Sequence, residues 1–447
     1  MPNAARHVFA ASFLAAIGSQ SNALAGGFAL EQHNARALGA AFAGAQARRA
    51  DPGLAVYNPA AIAGVDGVDF SANATGIWSR SSYENAQGAL FGVAPISGTS
   101  SARNYAGDAL IPTLVVAAPL SERITIGLSV HSPFGLNSDF ESDSVIRYQA
   151  QLSEAKTIAA TPMIAIALTD DVVIAGGLRV QYFDLSVTAI IDAGGIAAAN
   201  MVPGFAPGSS DLPAAFDGDD VEIGFTAGFQ ASLTPQLTIG GSFASKADHD
   251  IEGDASFDLA VSPAAQALNA LAGAFAPSSF ASAFNTPAMA GFGVEYAASD
   301  RWTLLASTTW SGWSNFEDVT LIFDNPAQPP EILNQNWKDG WTLSLGSEFA
   351  AREATTLRAG FMYDATPVNA AFASPRIPDA DRYWATVGVT QILGERLSAD
   401  LGVAVAFFED REIGISGLSP ADQLRGSLDA TIKATAYAVS GRLRYSF

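Results

Sequence analysis

A chain of 447 residues with 44 acidic and 23 basic side chains carries a formal charge of -21, which excludes the clustered Lys and Arg that nucleic-acid binding needs. It has no Cys, so disulfides and thiolate metal sites are excluded as well. Hydrophobic residues make up 49%, yet beyond the first 25 residues no uninterrupted apolar run reaches the roughly 20 residues of a spanning helix.

The chain opens with Arg6 and His7, an apolar run over 8–17, and Ala23-Leu24-Ala25, the small-x-small pattern of signal-peptidase cleavage. Residues 1–25 therefore read as a cleaved leader, and the mature chain is expected to begin at Gly26. Residues 26–67 are rich in Ala and Gly and contain Phe42, Arg48-Arg49 and Tyr57-Asn58-Pro59-Ala60, without period-two alternation. Such a segment cannot face lipid with its backbone unsatisfied, so it is expected in the periplasm or, preferably, as a hatch inside a barrel lumen.

From 68 to 447 the pattern is extended segments joined alternately by short turns and long loops. The predicted strands are 68–80, 108–118, 124–131, 157–168, 172–188, 221–233 and 237–245 in the first half. They continue with 287–297, 301–312, 340–349, 355–363, 382–393, 397–408 and 437–447. Along 222–233, Ile223, Phe225, Ala227, Phe229, Ala231 and Leu233 share one face and Gly224, Thr226, Gly228, Gln230 and Ser232 the other. Trp302 and Trp310 share a face about 26 Å apart along their strand, near the two edges of an apolar band. The last strand alternates Tyr437, Val439, Leu443, Tyr445 and Phe447 against small and basic residues. The expected fold is all-β: a transmembrane antiparallel β-barrel of about fourteen strands in the Gram-negative outer membrane, turns in the periplasm and loops outside.

Two long loops have unusually apolar contents. Residues 189–220 carry Ile190, Ile191, Met201 and Phe205; residues 251–284 carry Leu268, Leu271 and Phe275 at helical spacing, then Phe280 and Phe284, with Pro277 between the runs. The second loop reads as a short helical hairpin over the barrel mouth, and the two together as a groove for a hydrophobic ligand or as loops packed on each other. The acidic groups Asp217, Asp219, Asp220 and Glu409, Asp410, Glu412 read first as solvated loop charge. No His or Cys cluster has metal-ligand spacing, and no cofactor is expected.

Four elements carry a specific resemblance. Asn58-Pro59-Ala60, Pro133-Phe134-Gly135-Leu136, the stretch from Trp310-Ser311-Gly312-Trp313 to Phe316, and above all Arg376-Ile377-Pro378-Asp379-Ala380-Asp381-Arg382-Tyr383-Trp384 resemble the FadL/TodX family. Those proteins are outer-membrane transporters of long-chain fatty acids and aromatic hydrocarbons. The resemblance implies passive uptake gated by the hatch at Asn58 and Pro59, with sideways exit at a kinked third strand, here at Pro133 and Gly135. It also places a basic residue near a bound carboxylate at Lys338; Arg179, on an inward strand face beside Gln181, is the second candidate. An aromatic hydrocarbon channel of the same fold is the alternative, ahead of a polar-solute porin or a lipid hydrolase.

His33, His131 and His249 are the histidines left after cleavage, and His131-Ser132, adjacent on a strand, point to opposite faces, which disfavours hydrolytic chemistry. Expected partners are a hydrophobic small molecule, with detergent as its surrogate in crystals, then membrane lipid and lipopolysaccharide. The terminal Phe447 is expected to address the chain to the barrel-assembly machinery, and the barrel to be a monomer.

Overall fold

A computed structural model describes residues 26–419 and 422–447; the predicted leader lies outside them. Fourteen antiparallel staves close into one barrel. They begin with β1 (Asp69–Gln87), β2 (Ala109–Pro119) and β3, which runs over Ile124–His131 and resumes at Gly135–Asp139. Next come β4 (Leu152–Ala167), β5 (Val172–Asp192), β6 (Asp211–Thr234) and β7, split into Leu237–Ala244 and Ala247–Phe257. Three further split staves follow: β8 (Ser278–Thr286, Met289–Ala297), β9 (Trp302–Ser311, Asp318–Phe323) and β10 (Glu331–Asn334, Gly340–Arg352). The wall ends with β11 (Thr355–Ala365), β12 (Arg382–Ile392), β13 (Leu397–Phe408, Arg411–Ile415) and β14 (Leu428–Ser446).

β14 pairs back onto β1 in an unbroken register from Asp69↔Ser446 to Glu84↔Thr431, so the wall has no free edge there. Closure matters because an unpaired N–H or C=O in hydrocarbon costs several kcal/mol (roughly 2–7). Alternation sets the two faces. On β10, Trp341, Leu343 and Leu345 point out, with Leu345 66% exposed, while Thr342 and Ser344 point in and are buried. Only lipid makes so apolar an outer face favourable.

All fourteen predicted strands coincide with these staves to within a residue or two at their overrunning ends, but several staves run much further on the loop side. β5 and β6 stay paired from Asp192↔Asp211 to Val172↔Ala231, so Ile190, Ile191, Asp217, Asp219 and Asp220, expected in a loop, lie on strands. Their connection holds a short helix. Counting from the four-residue α1 (Ala35–Leu38), the α-helices among the described residues are α2 (Ala193–Ala199) and α3 (Pro263–Ala272).

The expected helical hairpin is corrected to α3 followed by a strand. Ser262 caps α3 by accepting from Ala265 N, and Gly273 at φ 71 ends it. Phe280 and Phe284 then fall on the inward face of β8, a spacing of four that suits period two as well as period 3.6.

Candidate functional site

Residues 26–67 run inside the barrel, and small side chains let them lie against the wall. A Cβ on Gly228 would collide with the Asn58 amide, and one on Gly388 would meet the Gly39 Cα at 2.7 Å. Asn34 caps α1 by accepting from Arg36 N and Ala37 N. Asn58 caps a 3-10 turn over Pro59–Ile62, and its amide donates to Gln46 O at 2.6 Å and to Phe229 O at 2.9 Å on the wall. Asn58 and Pro59 are thus both buried at the junction of segment and wall.

A circuit of opposite charges fixes this segment's middle. Arg36 reaches Asp51 at 2.8 Å; Asp51 binds Arg442 at 2.6 Å; Arg442 binds Asp400 at 2.7 Å. Asp400 faces Arg358 at 3.7 Å, Arg358 contacts Glu348, and Glu348 returns to Arg36 at 3.5 Å and to Arg48 at 2.8 Å. Three members belong to the segment and four to the wall, and all but Arg36 are buried. Burial alone would raise the Asp51 carboxyl, but Arg442 and Arg36 hold it well below the usual carboxylate range. Removing one partner from such a set typically costs about 3–5 kcal/mol, because a buried charge is stranded.

The beginning of the segment is held differently, by aromatic rings. Phe28 is fully buried, with ring centroids at 4.5 Å from Trp313, 5.6 Å from Phe284, 5.9 Å from Phe134 and Phe316, and 6.0 Å from Trp337. Gly27, at φ +70, lies where a Cβ would strike the Trp337 ring at 2.5 Å, so no other residue fits. The backbone pairs with the break in β3: Leu30 N donates to Pro133 O at 2.8 Å and Gly135 N to Phe28 O at 2.9 Å.

At that break the wall loses its ladder. β2 pairs with β3 only from Pro119↔Thr125 to Leu114↔Val130, and Gly135–Asp139 pairs with β4 but not with β2. Asp139 N bonds Tyr105 O at 2.6 Å and rejoins the two edges further out. Pro133 lacks the N–H a ladder needs, and Phe134 N turns inward to Thr157 Oγ1 at 2.8 Å. A cavity of about 50 Å³ extends from Tyr105, Ala106, Leu136, Asn137 and Ser138 beside the break to Ser79, Phe408 and Ala434 of β1, β13 and β14, with Ile377, Pro378 and Asp379, and Gly27 of the segment, completing its lining. That holds a water or two.

A polar cluster lies beside the aromatic cage. Arg179, Gln181 and Phe183 occupy successive inward positions of β5. Phe183 packs on Phe284 at 4.8 Å, within the aromatic cluster around Phe28, and on His249 at 5.1 Å. Gln181 Nε2 is 2.9 Å from His249 Nε2, whose Nδ1 is 3.0 Å from Asp220. Arg179 donates from Nη2 to Ser245 O at 2.5 Å, but its Nε has no acceptor, and no carboxylate pairs with it among the described residues. His33 and His131 stack edge to face at 5.0 Å, and the Ser132 hydroxyl turns to Phe134 O.

His33 gives a pH test. Burial pushes its imidazole down to about 4 from 6.5, although its bond to Leu30 O opposes this. The seated segment therefore excludes the proton: seating is unaffected above about pH 6.5 and weakens by about 1.4 kcal/mol per pH unit as pH falls from 6.5 towards 4. Thiol labelling of a Phe28→Cys variant should speed up over that window, and the increment should shrink when His33 is also replaced by Gln and disappear only when its ring neighbour His131 is replaced as well.

The remaining predicted site residues divide. Phe280, Phe284, Phe275, Leu268 and Ile190 are buried in the same apolar cluster as Phe28, with Ile191 and Phe205 packed against it. Met201 and Leu271 are 88% and 72% exposed at the rim, where α2 and α3 touch. Lys338 departs from its expected apolar surroundings: Trp337 takes the inward place, and Lys338 is exposed in a cleft of about 520 Å³ with Thr366, Asp381 and Arg411. Asp217 faces Asp254 and Asp219 faces Glu252 across the β6–β7 ladder, and no metal-binding group is found among the described residues. Phe28 was not singled out in the sequence; Trp313 entered only within the motif that carries the resemblance, and of the charge circuit only Arg48 was noted, as part of a basic pair.

The family model described as outer membrane protein transport protein (OMPP1/FadL/TodX) matches residues 15–447. The long-chain fatty acid transport protein of an Escherichia coli O6:H1 strain is 26% identical over 404 residues, covering 86% of this chain and 87% of that protein. Outer membrane protein P1 of Haemophilus influenzae is 24% identical, with 98% of each chain covered. A Pseudomonas aeruginosa FadL homologue superimposes with TM-score 0.85 at 24% identity, over 94% of this chain and all of that one. The Ralstonia pickettii toluene transporter TbuX gives 0.66 at 18% identity, over 93% and 98%.

Proposed function

We propose, on the premise that this chain belongs to the outer membrane protein transport family (OMPP1/FadL/TodX), that it takes up hydrophobic molecules bearing a carboxylate, long-chain fatty acids or their like. The family comprises outer-membrane transporters of fatty acids or aromatic hydrocarbons, not enzymes. Arg179 supports the first of these two cargoes. It is a buried guanidinium without a carboxylate partner among the described residues, and its Nε lacks an acceptor. Burying such a charge is costly unless something supplies the anion, and a carboxylate of the cargo does so. Four residues of strand separate Arg179 from Phe183, about 13 Å, a distance an alkyl chain spans while its tail stays among the rings.

The proposed route begins at the rim, where Met201, Phe205, Leu271 and Phe275 offer apolar surface. Cargo then displaces Phe28 from its cage and withdraws residues 26–30, the hatch's moving part, from the break in β3. Asn58 and Pro59 hold the rest of the hatch in place. Exit is sideways past Pro133 and Gly135 into lipid. Each methylene kept from water saves about 0.8 kcal/mol, so a lateral exit is favoured over a wet pore and no energy source is needed. Lys338, exposed at the outer rim, gives way to Arg179 as the carboxylate anchor.

The test is uptake of oleate and toluene by cells lacking other carriers. Arg179→Gln should lower oleate uptake at least tenfold and leave toluene unchanged. Oleate uptake left unchanged along with toluene would instead favour the second reading, a channel for neutral aromatic hydrocarbons, which the purely Phe and Trp cage supports.

A further inference from the structure

Three successive inward positions of β5 present a cation, an amide and a ring: Arg179, Gln181 and Phe183, each about 7 Å further along the strand. Arg179 and Gln181 are 5% and 0% exposed. The orientation of the Gln181 amide follows from its neighbours. His249 donates from Nδ1 to the Asp220 carboxylate at 3.0 Å, which leaves its Nε2 an acceptor, and Gln181 Nε2 donates to that nitrogen at 2.9 Å. The reversed amide would set two lone pairs against each other. The second amide hydrogen goes to Thr286 Oγ1 at 3.3 Å, whose own hydroxyl is directed to Ala247 O at 3.5 Å.

Both donors of Gln181 are therefore spent, and its buried Oε1 has no donor among the described residues. Arg179 is the opposite case, with an Nε–H that has no acceptor. A buried polar atom without a partner is costly, so a ligand that supplies the partner is preferred over one that does not. A plain fatty acid satisfies Arg179 and leaves Gln181 unmet. An aromatic hydrocarbon satisfies neither.

We propose that the preferred cargo is a fatty acid hydroxylated at its second or third carbon. Its carboxylate accepts from Arg179 Nε, its hydroxyl donates to Gln181 Oε1, and its chain runs on past Phe183 to Phe284. The order of groups along β5 is then the order of groups along the cargo. Asp220 is a positioning residue: through His249 it holds the amide with its oxygen free. The assignment rests on Arg179 as the carboxylate anchor and adds the hydroxyl to it.

The experiment is displacement of tritiated oleate from the detergent-solubilised full chain by myristate, 2-hydroxymyristate or 3-hydroxymyristate. At least one hydroxylated acid should displace oleate at a tenfold lower concentration than myristate. Gln181→Leu should bring the competitors within twofold of one another by weakening the hydroxylated acid, and heat-modifiable gel migration confirms that this barrel is folded. Arg179→Gln should weaken myristate and the hydroxylated acids together and keep their ratio. If Arg179→Gln weakens neither, the carboxylate anchor fails while the ratio in the parent still reads the hydroxyl. Equal displacement by all three acids in the parent, or a preference that persists in folded Gln181→Leu, would overturn the assignment.

Discussion

Replacing Asp51 by Ala should turn a sealed barrel into a leaky one. The substitution takes one of two carboxylates from Arg36 and from Arg442, which meet Asp51 at 2.8 Å and 2.6 Å and are left with Glu348 at 3.5 Å and Asp400 at 2.7 Å. At about 3–5 kcal/mol for a broken buried pair, the segment's seating loses a factor of a hundred or more. The wall should remain folded, since its ladder is independent of Asp51 and closes through β1 and β14. Single-channel recording in planar bilayers should therefore show long openings in Asp51→Ala where the parent is mostly closed. Glu348→Ala should do the same, because Glu348 serves Arg36, Arg48 and Arg358 together. If both variants stay closed, the circuit does not hold the seal.

Replacing Phe28 by Ala should raise the affinity for apolar ligands. Phe28 occupies the cage as a tethered competitor, and truncating a buried Phe typically costs about 3–5 kcal/mol of packing. A ligand that no longer has to evict the ring recovers much of that, so its dissociation constant should fall by at least tenfold. Trp313 and Trp337 lie 4.5 Å and 6.0 Å from the Phe28 ring, so their fluorescence reports occupancy directly. An unchanged titration with a fatty acid quencher would mean that cargo binds elsewhere.

These two expectations divide the N-terminal segment by mechanism. Residues 35–62 are held by ions and close backbone packing, which break only at high cost. Residues 26–30 are held by rings, whose contacts a hydrophobic ligand can replace like for like, and by a few hydrogen bonds: two backbone bonds to the β3 break, Gly27 N to Asp379 and Trp313 Nε1 to Gly26 O. Gating on the proposed route is thus confined to the chain's first few mature residues, and the seal against small polar solutes persists while cargo passes.

The barrel was legible in the sequence because lipid on one side and a packed lumen on the other impose strict alternation, as along Leu343, Leu345 and their inward neighbours. Beyond the bilayer that constraint lapses. Asp217, Asp219 and Asp220 continue β6 but read as a loop, since acidic residues and Gly218 suit either state. Phe280 and Phe284 failed as helix markers because a spacing of four is shared by both periods. The charge circuit joins residues up to 391 positions apart and leaves no local motif. A signal existed all the same: Glu348, Arg358, Asp400 and Arg442 are charges on spanning strands, and charge at that depth is rarely idle. Lys338 was expected in apolar surroundings beside Trp337, but Trp337 takes the buried place and the lysine is exposed.

The central claim is sideways release through the gap between β2 and β3, and the absence of native Cys makes it directly testable. Ala106 and Ser138 line the same small cavity from opposite edges of that gap. With both changed to Cys and joined by a cleavable bifunctional thiol reagent, oleate uptake should stop while tryptophan quenching still reports binding, and uptake should return when the linker is cut. Uptake that continues with the gap stapled shut would contradict lateral exit and send the cargo down the lumen instead.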